Sequence, residues 1–222
     1  QRYLTLLGDD WDMVRLGWYL AALVGSMMAA WILFTGLLEP VRRIRARSRV
    51  GAYIWGMSLA HMGFAVTLLG VALTSVFSVE RQAETLPQLS ADGVSHSATS
   101  TPITLRAVDA TYSFELTRIQ NMSAQNYDAV HAQVLVQRNR GLYEPLLLAE
   151  KRNYYSGSVM TEAGIDARLT RDVYVSLGSQ SQTGAWGLKV QVKPYIRLVW
   201  LGGILMALGA FLVAWRRFKV VI

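Results

Sequence analysis

Hydrophobic positions along the chain fall into three long runs and one region where they alternate with polar ones. Leu16 to Leu38 carries no charge and has about the length a helix needs to cross hydrocarbon. Glu39-Pro40 is expected to end it, because an interior proline removes a helix hydrogen bond and crowds the preceding turn. A second apolar run, Val50 to Phe77, is also long enough, and His61 is its one side chain whose ordinary titration range lies near neutral pH. At helical spacing Met57, Ser58, Phe64, Ala65 and Leu68 share the side of His61. Gly56, Gly63 and Gly70 form a stripe roughly opposite, which lets a neighbouring helix approach closely. The third run, Leu198 to Trp215, contains Gly202, Gly203 and Gly209 and suits the same tight packing.

Between the second and third runs the period changes. Ser78 to Ser100 is rich in Ser, Gln, Ala and Thr and reads as a linker or loose surface loop. In Tyr127 to Gln137, Val130, Ala132, Val134 and Val136 point one way, while His131, Gln133 and Gln137 point the other. Similar strands are expected over Ile103–Ala107, Tyr112–Arg118, Glu144–Tyr154, Asp172–Leu177 and Trp186–Val192. Arg138-Asn139-Arg140-Gly141 and Gly178 to Gly184 supply turns. Roughly six or seven such strands suggest a small antiparallel sandwich or barrel. The fold class is therefore membrane α-helical with an inserted all-β extracytoplasmic domain. Residues 1–77 would hold two transmembrane helices (16–38 and 50–77) joined by a basic cytoplasmic loop. Residues 78–197 would form a periplasmic linker and β domain, with strands from about 101. Residues 198–222 would be a third span and a basic cytoplasmic tail.

Charge supports that topology. Of the chain's formal +7, Arg42, Arg43, Arg45, Arg47 and Arg49 crowd one short loop, and Arg216, Arg217 and Lys219 follow the third span. Between Ser78 and Arg197 there are twelve basic and eleven acidic residues, so the β region is close to neutral. Short cytoplasmic loops collect Lys and Arg, which puts the two basic segments on one side and the β domain on the other. A nucleic-acid partner is not indicated, because its basic footprint would lie on the folded soluble part. With no cysteine there are no disulfides, Cys-bound zinc or thiol chemistry. The first residue is Gln1 rather than Met, so the chain is expected to be trimmed or the tail of something larger.

His61 is the candidate with chemistry. An ionisable ring at membrane depth is costly unless it has a partner. That partner is either a hydrogen-bonding group on the next helix or a metal such as heme iron, which takes a neutral imidazole. Ser58 and Ala65 are small enough to leave room for a flat macrocycle. His131, on the polar face of a strand, and His96, in the loose loop, are most simply solvated. Trp11-Asp12 reads as membrane-edge anchoring, and Met27-Met28, Met57 and Met62 as helix packing. Glu150, Lys151, Arg152, Glu162 and Asp172 are surface or fold-stabilising charges, and no Ser-His-Asp set, carboxylate pair or phosphate loop supports a hydrolase or kinase.

Several stretches in order resemble the C-terminal part of the CcmF/NrfE family of cytochrome c maturation (system I) proteins. They are Gly56-Met57-Ser58-Leu59-Ala60-His61-Met62-Gly63, Glu150-Lys151-Arg152-Asn153-Tyr154, and Thr161-Glu162-Ala163. Arg171-Asp172-Val173-Tyr174-Val175-Ser176-Leu177-Gly178 follows, and then Lys193-Pro194 running into Trp200-Leu201-Gly202-Gly203. The resemblance implies a multi-pass bacterial inner-membrane protein with a periplasmic β domain. Family members bind a b-type heme between two transmembrane histidines, and His61 matches the C-terminal one, an axial iron ligand. They are thought to take heme from the heme chaperone CcmE and join it to the Cys-x-x-Cys-His motif of apocytochrome c, presented by CcmH-type subunits. The resident heme b is proposed to reduce the incoming heme. The family's tryptophan-rich heme-handling segment and its two flanking external histidines have no counterpart here, and Trp11-Asp12 does not replace them. The second axial histidine is expected from the remainder of a CcmF-like chain or from a partner chain. The expectation is the C-terminal segment of a cytochrome c heme lyase acting in a complex. The alternative is a non-catalytic membrane scaffold whose β domain docks a partner protein. A transporter subunit would want broken helices and intramembrane charges instead.

Overall fold

The computed structural model describes residues 8–85, 95–96, 102–139, 141, 145–182 and 184–221; the side chains of 8–15, 95–96 and 216–221 are not described. The chain divides into two units: residues 1–76 with 194–222, and residues 77–193.

The first unit is three helices, α1 (Gly8–Arg45), α2 (Ala52–Phe77) and α3 (Ile196–Val221). All three are long and apolar enough to cross a membrane, over Leu16–Arg45, Ala52–Phe77 and Ile196–Trp215. Neighbouring helices run antiparallel. Gly25 and Gly36 of α1 face Ala72 and His61 of α2, while Gly56, Gly63 and Gly70 of α2 face Gly209, Gly202 and Val199 of α3. The glycine stripe thus meets a neighbouring helix, as its spacing predicts. A Cβ on Gly63 would sit 2.6 Å from the Gly202 carbonyl oxygen and from the Met206 nitrogen, so these two backbones touch directly. Exposed aromatics mark both ends. Trp18, Tyr19 and Trp200 lie toward one, and Tyr53, Trp55 and Trp215 toward the other, where amphipathic rings sit at a bilayer surface.

The first helix does not stop at Glu39-Pro40. It continues through a buried Pro40 to Arg45. The Glu39–Arg43 pair at 2.7 Å bridges the proline turn, and the helix ends where Arg47 turns left-handed, with φ of 52°. There the Ser48 N–H and hydroxyl both donate to the Arg43 carbonyl, at 2.9 and 3.0 Å. Satisfying that terminal carbonyl fixes the stop better than the proline does.

The second unit is an all-antiparallel sandwich. One sheet has the order β1-β10-β9-β8, from β1 (Val79–Thr85), β8 (Gly164–Ala167), β9 (Arg171–Gln180) and β10 (Trp186–Pro194). The other has the order β2-β4-β5-β6-β7, from β2 (Ser95–His96), β4 (Thr111–Ser123), β5 (Tyr127–Arg138), β6 (Leu146–Tyr154) and β7 (Val159–Glu162), with β3 (Ile103–Arg106) also paired to β4. Tyr112, Phe114 and Leu116 of β4 interleave with Val134 and Val136 of β5 and Val173, Val175, Val190 and Val192 of the facing sheet. Each fully buried apolar side chain of this kind contributes about 1.5–3 kcal/mol.

Two expectations need correction. Residues 79–85 are not linker: β1 pairs with β10 from Val79↔Val192 to Thr85↔Trp186. His96 is not in a loose loop but pairs with Arg118 in the short β2. Most of the remaining expected linker lies outside the described residues.

Candidate functional site

His61 sits midway along α2, where Gly36 of α1 lets the two helices approach; a Cβ on Gly36 would lie 3.1 Å from that of His61. Its Nδ1 is 2.8 Å from the carbonyl oxygen of Met57, one turn earlier. A carbonyl has no proton to give, so this contact puts the imidazole proton on Nδ1. In the neutral ring Nε2 then keeps its lone pair, on a side chain exposed on the surface of the three-helix unit. A backbone acceptor on the other ring nitrogen is the usual way a ligating histidine is held in one tautomer and orientation.

The expected His61 face is split by packing. Phe64 is exposed, whereas Ser58 and Ala65 are buried. The Ser58 hydroxyl has no partner there, and neither does that of Thr67, which a Cβ on Gly202 would overlap. One turn beyond His61, an apolar recess of about 170 Å³ opens between Ser26, Ala29, Ala30 and Leu33 of α1 and Ala65, Val66 and Leu69 of α2.

This donor set fits heme iron from one side. His61 offers a single imidazole nitrogen one turn from an apolar concavity lined largely by small side chains. The sequence holds no second histidine in the three helices. Among the described residues, no three His, Asp or Glu side chains converge on a metal position.

Residues 95–194 match the family model described as the CcmF C-terminal beta-sandwich, β2 to β10 in this structure. Cytochrome c-type biogenesis protein CcmF of Escherichia coli is 36% identical over 190 residues, covering 85% of this chain and 27% of that protein. The chain belongs to the CcmF/NrfE family, as a C-terminal segment. CcmF of Pseudomonas aeruginosa is 36% identical over 209 residues (90% of this chain, 29% of that one). NrfE of Haemophilus influenzae is 30% identical over 206 residues, again covering 90% and 29%. The chain therefore spans less than a third of the length of these relatives. A solved structure titled Cytochrome c Heme Lyase CcmF superposes with a TM-score of 0.59 at 15% identity, over 90% of this chain and 34% of that one. That likeness is one of fold.

Among the described residues of the CcmF-type sandwich, two polar clusters hold the charges nearest to the matching sequence stretches. On the β5–β6–β7 face, Arg152 bridges Glu150 at 2.8 Å and Glu162 at 3.3 Å and lies 5.1 Å over the Tyr127 ring. Hydrogen bonding to Glu150 raises its pKa above the usual arginine range. His131 reaches the same glutamate, with Nε2 3.6 Å from Oε1, and is half-buried rather than solvated. The second cluster is inside. Arg171 is 5% exposed and Asp172 3%, so Asp172 is no surface charge. Arg171 pairs with Asp166 at 2.7 Å and lies 5.1 Å over the Tyr112 ring. Burial, and then the 2.7 Å hydrogen bond to Asp109, push the Tyr112 phenol up to about 12. In both clusters carboxylates are held by guanidinium groups, and among the described residues no nucleophile sits beside a base, which is a stabilising arrangement. Arg171 was missed because an Arg-Asp dipeptide reads as a turn or a surface edge. Its neighbours Val173 and Val175, at strand spacing, carry the only hint that it points inward.

Proposed function

We propose that this chain supplies the C-terminal membrane helices and the β-sandwich of a cytochrome c heme lyase, and that His61 Nε2 is an axial ligand of a b-type heme. The observation that carries the assignment is the 2.8 Å Nδ1 contact to the Met57 carbonyl, which in the neutral ring makes Nε2 the nitrogen that can ligate, on an exposed helix surface. When bound, heme supplies one-electron redox chemistry, whose potential depends on axial ligation and burial. The protein's own contribution is to hold the ring. The Met57 carbonyl keeps a proton on Nδ1, and the Gly36 approach fixes the α1–α2 spacing. A second axial histidine comes from the rest of the CcmF-like protein or a partner chain.

The same reading places the protein in the bacterial inner membrane with its β-sandwich in the periplasm. There it works with holo-CcmE as heme donor, a CcmH-type subunit and apocytochrome c as acceptor. The sandwich is a docking platform in this account, consistent with two polar clusters that stabilise and lack catalytic geometry. A dithionite-reduced minus oxidised spectrum of the purified full-length protein tests the assignment. His61→Ala removes the b-type absorbance at unchanged protein level if His61 ligates. An unaltered spectrum would instead favour the scaffold reading, in which the ring is only hydrogen-bonded.

A further inference from the structure

The chain's excess positive charge gathers at one end of the helical unit. Arg42, Arg43 and Arg45 occupy the last turn of α1, and Arg47 and Arg49 line the turn into α2. Gly56 of α2 packs against Gly209 and Val213 of α3, so the antiparallel α3 brings Arg216, Arg217 and Lys219 to the same end. From residue 16 to 77 the one carboxylate is Glu39, and it is taken by Arg43 at 2.7 Å. Arg42, Arg45, Arg47 and Arg49 are exposed and have no acidic partner among the described residues. The backbone around them is already satisfied by the Ala46, Arg47 and Ser48 hydrogen bonds back into α1, so these guanidinium groups are not needed as caps.

Apolar groups are interleaved with the arginines. Val41 and Ile44 are exposed within the arginine turn, and Tyr53, Trp55 and Trp215 are exposed at the same end. We infer that this end binds anionic phospholipid headgroups. Arg42, Arg45, Arg47 and Arg49 take the phosphodiester, while Val41, Ile44, Tyr53 and Trp55 lie at the glycerol and upper acyl level. The guanidinium fork matches phosphate oxygens in pairs. Exposed apolar and aromatic side chains among the charges fit an interface that is wet on one side and hydrocarbon on the other, unlike an acidic peptide or free phosphate. Continuing α1 past Pro40 is what carries three of the arginines out to that level.

The test uses the full-length protein in detergent micelles containing equal amounts of dioleoyl phosphatidylglycerol and dioleoyl phosphatidylcholine, with bound lipids counted by native mass spectrometry. Phosphatidylglycerol should exceed phosphatidylcholine among retained lipids by about fivefold or more, the effect expected of even one uncompensated arginine at an anionic surface. The triple variant Arg42→Gln/Arg45→Gln/Arg47→Gln should bring the ratio close to one, and Arg106→Gln in the β-sandwich should leave it unchanged. If the triple variant does not accumulate, raising NaCl from 50 to 500 mM on the wild type must lower the ratio. Equal retention of the two lipids by wild type, or a preference that survives both the substitutions and the salt, overturns the inference. So does loss of a co-purifying protein subunit from the triple variant with lipid preference intact, which would make the patch a protein-docking surface.

Discussion

Gly202 and Gly203 are neighbours on α3, yet a methyl group would have opposite effects at the two. At Gly202 a Cβ would overlap the Thr67 hydroxyl and lie 2.5 Å from both the Gly63 carbonyl oxygen and the Thr67 nitrogen of α2. Ordinary contact begins at 3.4 Å, so α2 and α3 would have to separate by about 0.9 Å at that level. A gap of that size forfeits a quarter to a half of each dispersion contact nearby. Gly56, Gly70 and Gly209, which share the seam, would feel it too, since their own Cβ positions lie 2.6–2.8 Å from backbone across the seam. Overpacking of this kind costs about 1–3 kcal/mol. At Gly203 nothing lies within 4 Å, and alanine is the better helix former. Gly202→Ala should therefore lower the thermal midpoint in detergent by about 4–8 °C for roughly 2 kcal/mol in a chain of 222 residues. Gly203→Ala should leave the midpoint level or slightly raised. Equal midpoints for the two variants would refute the direct α2–α3 backbone contact.

Three further predictions concern the sandwich. Arg171→Ala removes the shorter of two arginine contacts to Asp166, leaving Arg168 at 3.1 Å, and should destabilise by about 1.5–3 kcal/mol, while Arg171→Met with Asp166→Leu together should cost less, read by urea unfolding. Tyr112 ionises near 10 when unfolded and at about 12 when folded, so its contribution is complete below pH 10 and is lost as pH rises from 10 toward 12. Alkaline unfolding of Tyr112→Phe should lack that part of the decline, measured by circular dichroism against pH. Gly164→Ala places a methyl 2.7 Å from the Leu148 carbonyl oxygen, where β8 meets β6 of the facing sheet, and should cost about 1–3 kcal/mol by the same urea titration.

The three spans and the stripe of Gly56, Gly63 and Gly70 were legible because length, hydropathy and a sevenfold spacing leave few other uses for those residues. The central strands were legible for a similar reason: in β5, Ala132, Val134 and Val136 are all buried, and the alternation is clear. β1 was not, since Val79–Thr85 is an edge strand whose side chains are largely exposed, and an edge that buries little writes little alternation. Pro40 misled because propensity weighs only the lost hydrogen bond and the local crowding. The buried ring, the Glu39–Arg43 pair and the cap at Arg47 decide where the helix ends. At the candidate site the sequence pointed to His61 but could not tell which ring nitrogen is free. That depends on a carbonyl at 2.8 Å, which a pattern of side chains does not contain.

A density map of the intact full-length protein, at a resolution that separates the two imidazole nitrogens, tests the central claim most directly. The account predicts a macrocycle whose iron is bonded to His61 Nε2, with Nδ1 still on the Met57 carbonyl and a second histidine from outside this chain on the opposite face. A map in which the His61 ring makes protein contacts alone, with no macrocycle beside it, would contradict the assignment.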